Sequence, residues 1–284
     1  MRWFAVATAA ALLAACNGTT GDNLITFDAF ASGAAGASQP FTVSGFNIQL
    51  TTATMLIGAV YIDQDATNAT GFDTPVCIDT GLYSAQVPGS CCTGGPVDLL
   101  STTPQAFSIG GNGTADVGRT WELWLFDPAS GDINTANTAQ VVNLQGAATR
   151  ISDGAVFTFG AIVTINDNRL IPDSDPSQPG LNPICKQRVI QIAGIDLQLF
   201  QGGTLSVTID PRVWFDEGID FSTLPLVTSA ACQLDANSDY GTAEYCIPDS
   251  NYETGLGALQ GQELFTGIHT GGGAAYSVQY AATQ

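Results

Sequence analysis

The stretch GAVFTFGAIVTIN, residues 154–166, decides the fold. Phe157, Phe159, Ala161, Val163 and Ile165 alternate with Val156, Thr158, Gly160, Ile162 and Thr164. Successive side chains of an extended chain point to opposite faces, so an apolar residue at every second position predicts a half-buried antiparallel strand. The same period recurs further along. Leu205, Val207 and Ile209 alternate with Ser206, Thr208 and Asp210, and Tyr276, Val278 and Tyr280 alternate with Ser277 and Gln279.

Other strands are expected at Leu24–Phe30, Phe41–Leu50, Thr52–Ile62, Arg119–Asp127, Gln140–Thr149 and Arg188–Phe200. They are rich in β-branched and aromatic residues and are separated by Gly, Pro, Asn and Asp clusters. Nine or ten such strands predict an all-β chain, an antiparallel β-sandwich whose two sheets hide their apolar faces against each other. Residues 24–284 form one large sandwich or two smaller ones. The single expected helix is short, Gly257–Phe265, and weakened by Gly261 in its middle. Three stretches, 63–104, 167–186 and 229–256, are too long and irregular for hairpin loops, and each contains cysteine.

The chain opens with one positive residue, Arg2, followed by an uncharged run of 13 residues from Trp3 to Ala15. That length suits the apolar core of a secretory signal and is too short to span a bilayer. It ends in Leu-Ala-Ala-Cys, Leu13 to Cys16, which resembles a bacterial lipobox: small residues before a cysteine that is acylated and becomes the new N-terminus. The expectation is a signal peptide over 1–15, with Cys16 lipidated and 16–23 a polar tether. Stable anchoring takes more than one acyl chain (palmitate and its like), since each buried methylene contributes ~0.8 kcal/mol. Asn17 rather than Asp follows the cysteine, which points to the outer membrane. No later segment reaches 18 consecutive apolar residues.

Seven basic residues face 26 acidic ones, a net charge of −19, and removing Arg2 with the leader takes it to −20. Such a surface repels nucleic acid and anionic headgroups and attracts cations. With Cys16 acylated, Cys77, Cys91, Cys92, Cys185, Cys232 and Cys246 remain. An even number in an exported protein predicts up to three disulfides. Cys232 with Cys246, and Cys77 with Cys91 or Cys92, each close a short loop. Zinc is disfavoured, because there is no C-x₂-C pair and His269 is the sole histidine.

Between the last two cysteines, CQLDANSDYGTAEYC (232–246) carries oxygen side chains at alternate positions. Asp235, Asn237 and Asp239 have the spacing of a calcium loop, with Glu244 or Asp249 as a further ligand. The pattern departs from an EF-hand loop at Tyr240, where a glycine belongs, and at Cys246, where a bidentate glutamate belongs. A disulfide-closed acidic turn is therefore the first reading and calcium the second. Asp167, Asn168, Asp173 and Asp175, and also Asp63 and Asp65, read as solvated turns in the same way.

IDPRVWFDEGIDF (209–221) holds a carboxylate pair, Asp216 and Glu217. Two carboxylates could serve a glycosidase, but here Pro211 ends a strand and Asp-Glu-Gly reads as a turn, with Trp214 and Phe215 capping the sandwich. Trp121 and Trp124 sit three apart, so a strand turns them to opposite faces, one into the core. Trp124 or Trp214 could serve as an aromatic platform for a sugar. Nucleophilic catalysis lacks support, since His269 is the one available base and is expected at a strand end beside a glycine turn.

The lipobox, GFNIQLTTATMLIGAVYI (45–62), GAVFTFGAIVTIN, GGTLSVTIDPRVWFDEGIDFSTL (202–224) and LFTGIHTGGGAAYSVQY (264–280) together resemble envelope lipoproteins of myxobacteria and related delta-proteobacteria. The resemblance implies a compact, β-rich, lipid-anchored domain and supplies no catalytic residue to map. The expectation is a non-enzymatic envelope protein with a structural or binding role. Two alternatives stand beside it: a glycan- or cell-surface-binding module with a calcium-ordered loop, and a glycoside hydrolase.

Overall fold

The computed structural model describes residues 24–63, 96–107, 110–114, 117–125, 140–164, 189–232, 239–248 and 258–282. Among these residues the chain is mostly strand with little helix, arranged in two open mixed sheets. One sheet holds β1 (Leu24–Gly33), β5 (Gln105–Ala106), β6 (Gly111–Thr114), β11 (Gly203–Ile209) and β13 (Tyr276–Ala282). Its order is β13-β11-β1-β5, with β6 also on β1. The other holds β2 (Phe41–Val43), β3 (Phe46–Asp63), β4 (Pro96–Asp98), β7 (Val117–Leu125), β8 (Gln140–Arg150), β9 (Val156–Thr164), β10 (Val189–Gln198) and β12 (Tyr245–Ile247). Its order is β10-β7-β3-β8-β9-β12, with β2 and β4 also on β3.

The sheets are not purely antiparallel. β1 pairs parallel with β11, and β12 pairs parallel with β9. Alternation along one strand sets which face is apolar, but it says nothing about the direction of a partner more than a hundred residues away. Parallel partners need a long crossover, and between β1 and β11 most of the second sheet supplies it.

β3 shows what alternation can hide. Two separate strands are expected here, yet Phe46–Asp63 is one strand of 18 residues. Phe46, Ile48 and Leu50 are buried, then Ala53, Met55 and Ile57, then Val60. The buried phase flips twice, and each flip coincides with a register shift, at Leu50/Thr52 against β8 and at Ile57/Ala59 against β7. An extra residue in a bulge moves every later side chain to the other face, so a continuous strand looks broken in its sequence period.

β9 keeps its half-buried character only at the start. Val156 is exposed and Phe157 half-buried, but from Phe159 to Thr164 both faces are covered. Phe159, Ala161 and Val163 join the main core, which draws on both sheets. Ile162, on the other face, packs with Cys232, Tyr240 and Cys246. The second cover is contributed by a segment some eighty residues away.

The helix is longer than expected. α1 runs Ala258–Thr270, and a short α2 (Gly272–Ala275) leads into β13. Gly261 and Gly267 both lie in α1 on buried sites. Gly267 has a steric reason to be there: a Cβ at this position would stand 2.1 Å from the Trp214 carbonyl oxygen. The helix therefore rests on the backbone of the 3₁₀ turn Val213–Phe215. Gly267→Ala is expected to destabilise by about 1–3 kcal/mol through overpacking, despite the ~1 kcal/mol that alanine offers a helix. Gly273→Ala, with open space around its Cβ, serves as the control in urea unfolding and is expected to be neutral or stabilising.

Candidate functional site

The segment after β11 gathers more side-chain chemistry than any other described stretch. Pro211 ends the strand, and the chain turns through Val213–Phe215 and a second 3₁₀ turn, Phe221–Thr223. Arg212 folds back on Asp210, with Nη2 2.6 Å from Oδ2 and Nε 2.8 Å from Oδ1. Its Nη2 also donates to the Ala35 carbonyl at 3.2 Å. This fork ties the exit of β11 to the loop after β1, and the hydrogen bond to Asp210 holds the guanidinium pKa above its usual value. Asp220 caps the second turn by accepting from the Ser222 backbone N–H at 2.9 Å.

Trp214 and Phe215 point inward and are fully buried. Phe215, Phe221 and Phe159 form an aromatic knot with centroids 4.8–6.1 Å apart. Trp214 lies against Tyr276, whose hydroxyl donates to the Ile268 carbonyl at 2.7 Å. Burial pushes that phenol well above its ordinary pKa. The expectation that Trp214 caps the core holds. Its other expected role, a platform for a sugar, does not fit: no face of the indole reaches solvent, because α1 and β13 cover it. Trp121 is likewise buried in the core. The backbone of Trp124 pairs with Ala59 and Val189, while its side chain lies outside what is described.

Asp216 and Glu217 are exposed on the turn that Gly218, at φ 100°, completes. This is the expected turn. Glu263 on α1 is different. Burial raises its carboxyl pKa, and the charges of Glu217 and Asp220 raise it further. Its Oε2 is buried without a hydrogen-bond partner. A carboxyl whose pKa is higher folded than unfolded stabilises below its ordinary range, and that contribution is lost as pH rises through the folded value. Glu263→Gln is therefore expected to raise the melting temperature at pH 7 and to change it little near pH 4. Equal shifts at both pH values would contradict this.

The disulfide between Cys232 and Cys246 forms, with both sulfurs buried and Cα atoms 6.1 Å apart. Cys16, Cys77, Cys91, Cys92 and Cys185 lie outside the described residues. So do Asp235 and Asn237, and of the second and third acidic loops Asp65, Asp167, Asn168, Asp173 and Asp175; Asp249 is outside as well. Asp239 and Glu244 are described, and both are exposed. Asp239 Oδ1 accepts from the Gly241 N–H at 2.8 Å, an Asx turn, and the Glu244 N–H donates to Thr158 on β9. Among the described residues no three His, Cys, Asp or Glu side chains converge as a metal site.

His269 is not at a strand end. It occupies the last turn of α1, stacked on Phe265 at 4.0 Å, with Nδ1 3.0 Å from the Phe265 carbonyl oxygen. A carbonyl only accepts, so Nδ1 carries the proton and serves the end of the helix. Sequence reasoning missed this because the helix was expected to stop at Phe265. It also missed Glu263, an acidic residue that looks solvated until the turn at 216–220 is folded beside it. Among the described residues no helix is long and apolar enough to cross a membrane. No family model, curated protein or solved structure matches the chain.

Proposed function

We propose that the chain is a lipid-anchored protein of the bacterial cell envelope, held by acyl chains on Cys16, with a structural or binding role and no chemistry of its own. Its body is one β-sandwich made of the two sheets. The main core, which takes side chains from both sheets, supports that architecture. The observation that carries the functional reading is the Leu-Ala-Ala-Cys sequence at 13–16 behind a 13-residue apolar run. The Cys232–Cys246 disulfide agrees with an oxidising compartment outside the cytoplasm.

The test is metabolic labelling with an alkyne fatty acid, read together with the intact mass of the mature chain. Cys16→Ser is expected to abolish the label and release the chain from membranes. Label that survives this substitution, or a chain found in the soluble fraction without it, would overturn the reading.

A further inference from the structure

Five described large apolar residues are exposed: Ile151, Val156, Phe200, Leu226 and Leu259. Ile151 and Val156 sit on the β8–β9 turn, at the end of β3 that holds Phe46, where the Ile151 N–H donates to the Gly45 carbonyl in the β2–β3 turn. Phe200 sits on the β10–β11 turn, toward the other end of β3, because Asp63 pairs with Thr120 of β7 and Gln198 pairs with Val117 of the same strand. The start of β1 is fastened to that turn. The Gly202 N–H donates to the Thr26 carbonyl at 2.9 Å, the Thr26 N–H donates to Gln201 Oε1 at 3.0 Å, and Gln201 Nε2 donates to Thr26 Oγ1 at 2.9 Å.

The turn is also stiff. The Tyr280 hydroxyl donates to the Phe200 carbonyl at 2.6 Å. The Phe200 ring meets the Tyr280 ring edge to face at 5.0 Å, and Tyr280 meets Phe27 in the same way at 5.3 Å. Gly203 lets the phenol lie against the backbone, since a Cβ there would stand 2.3 Å from the Tyr280 ring. One aromatic side chain is thus presented outward, 37% exposed, by a clamped turn at the place where the tether enters the domain.

Covalent geometry then limits the orientation. Leu24 lies eight positions beyond Cys16, a span of at most about 29 Å even when fully extended. β1 carries the chain ten residues away from that point, roughly 33 Å at the rise of a strand. We infer that the Phe200 turn, with the adjoining end of β13, is the face this domain lays against the lipid surface, while the Ile151–Val156 turn points away. This rests on the lipid-anchor reading above. Exposure alone would choose the other end, as Ile151 is 61% and Val156 57% exposed; the tether makes the choice. An aromatic side chain also suits the headgroup boundary of zwitterionic lipid, where the strongly acidic surface of the chain gains nothing from charge.

The experiment uses the full lipidated chain in phosphatidylethanolamine–phosphatidylcholine vesicles that carry a diazirine-labelled phospholipid. Cross-links are mapped by mass spectrometry. They are expected at 199–203 and 280–282 and not at 151–156. Phe200→Ser should lower the yield at the turn roughly tenfold, the factor that burying one aromatic side chain supplies. Phe200→Trp should retain it, and both variants should keep their acyl mass and float with vesicles. Cross-links at 151–156, or equal yields from Phe200→Ser and the parent, would overturn the orientation while leaving the anchor intact. Absence of acyl mass on Cys16 would remove both, and is read separately in the same spectra.

Discussion

Trp214→Ala is expected to destabilise the protein by about 3–5 kcal/mol, the range for deleting a large buried aromatic side chain. In a chain of this size that corresponds to a melting temperature lower by roughly 6–20 °C. The effect is placed at the top of that class because Trp214 lies where three parts of the chain meet. Its backbone carries the helix at Gly267. Its ring packs beside Tyr276, the first residue of β13. The turn it belongs to is anchored through Arg212 to the loop after β1. A cavity here cannot collapse easily, because the helix already touches backbone and the Tyr276 hydroxyl is fixed on Ile268. Trp214→Phe should recover much of the loss, because it keeps most of the buried aromatic volume. Urea unfolding of the two variants beside the parent checks this. A loss under 1 kcal/mol for Trp214→Ala would mean that the site is not packed as described.

How much of this was legible in the residues follows from which interactions are local. The alternation of β11 and the first half of β13 maps directly onto burial, because one face meets the core and the other meets solvent. The turn at Asp216–Gly218 was legible for a similar reason: Pro211 fixes its own φ and ends the strand, and Gly218 can adopt the positive φ of 100° that the turn requires. What failed was non-local. Trp214 could be read as a platform because nothing within ten residues covers it; its cover is a helix some fifty residues further on. The double burial of Phe159–Thr164 needs Tyr240 and Cys246, which no period within β9 encodes. The bulge at Leu50/Thr52 in β3 disguised one strand as two, since a phase flip and a strand end look alike in a hydrophobic pattern. For the site, the Cys232–Cys246 bridge was legible, because two cysteines so near in the chain can close a short loop, and the structure forms it; the parallel docking of β12 on β9, a pairing across some eighty residues, was not.

Removing that disulfide, by Cys232→Ala with Cys246→Ala, is expected to cost about 3 kcal/mol. The figure follows from closure of a loop of roughly 15 residues in the unfolded chain, here with a sequence separation of 14. Alanine is the right replacement, because serine would leave hydroxyls where both sulfurs are buried. The loss should also be unevenly distributed. β12 is three residues long and pairs parallel with β9 at an edge. Its remaining backbone support comes from residues 225–227, through the Cys246 N–H to Pro225 and the Val227 N–H to Glu244. Those bonds persist only while the segment stays docked. Without the covalent closure, residues 225–248 should open before the sheets do, uncovering Ile162 and Tyr240. Limited proteolysis is therefore expected to cut the double variant within 225–248 under conditions where the parent resists, while the far strands β1, β11 and β13 remain protected from amide exchange. If the variant melts like the parent and its proteolysis pattern is unchanged, then side-chain packing of Tyr240 over Gly160 alone holds the segment. If protection is lost everywhere at once, the edge and the core form a single cooperative unit, and the segment is not a separable cover on β9.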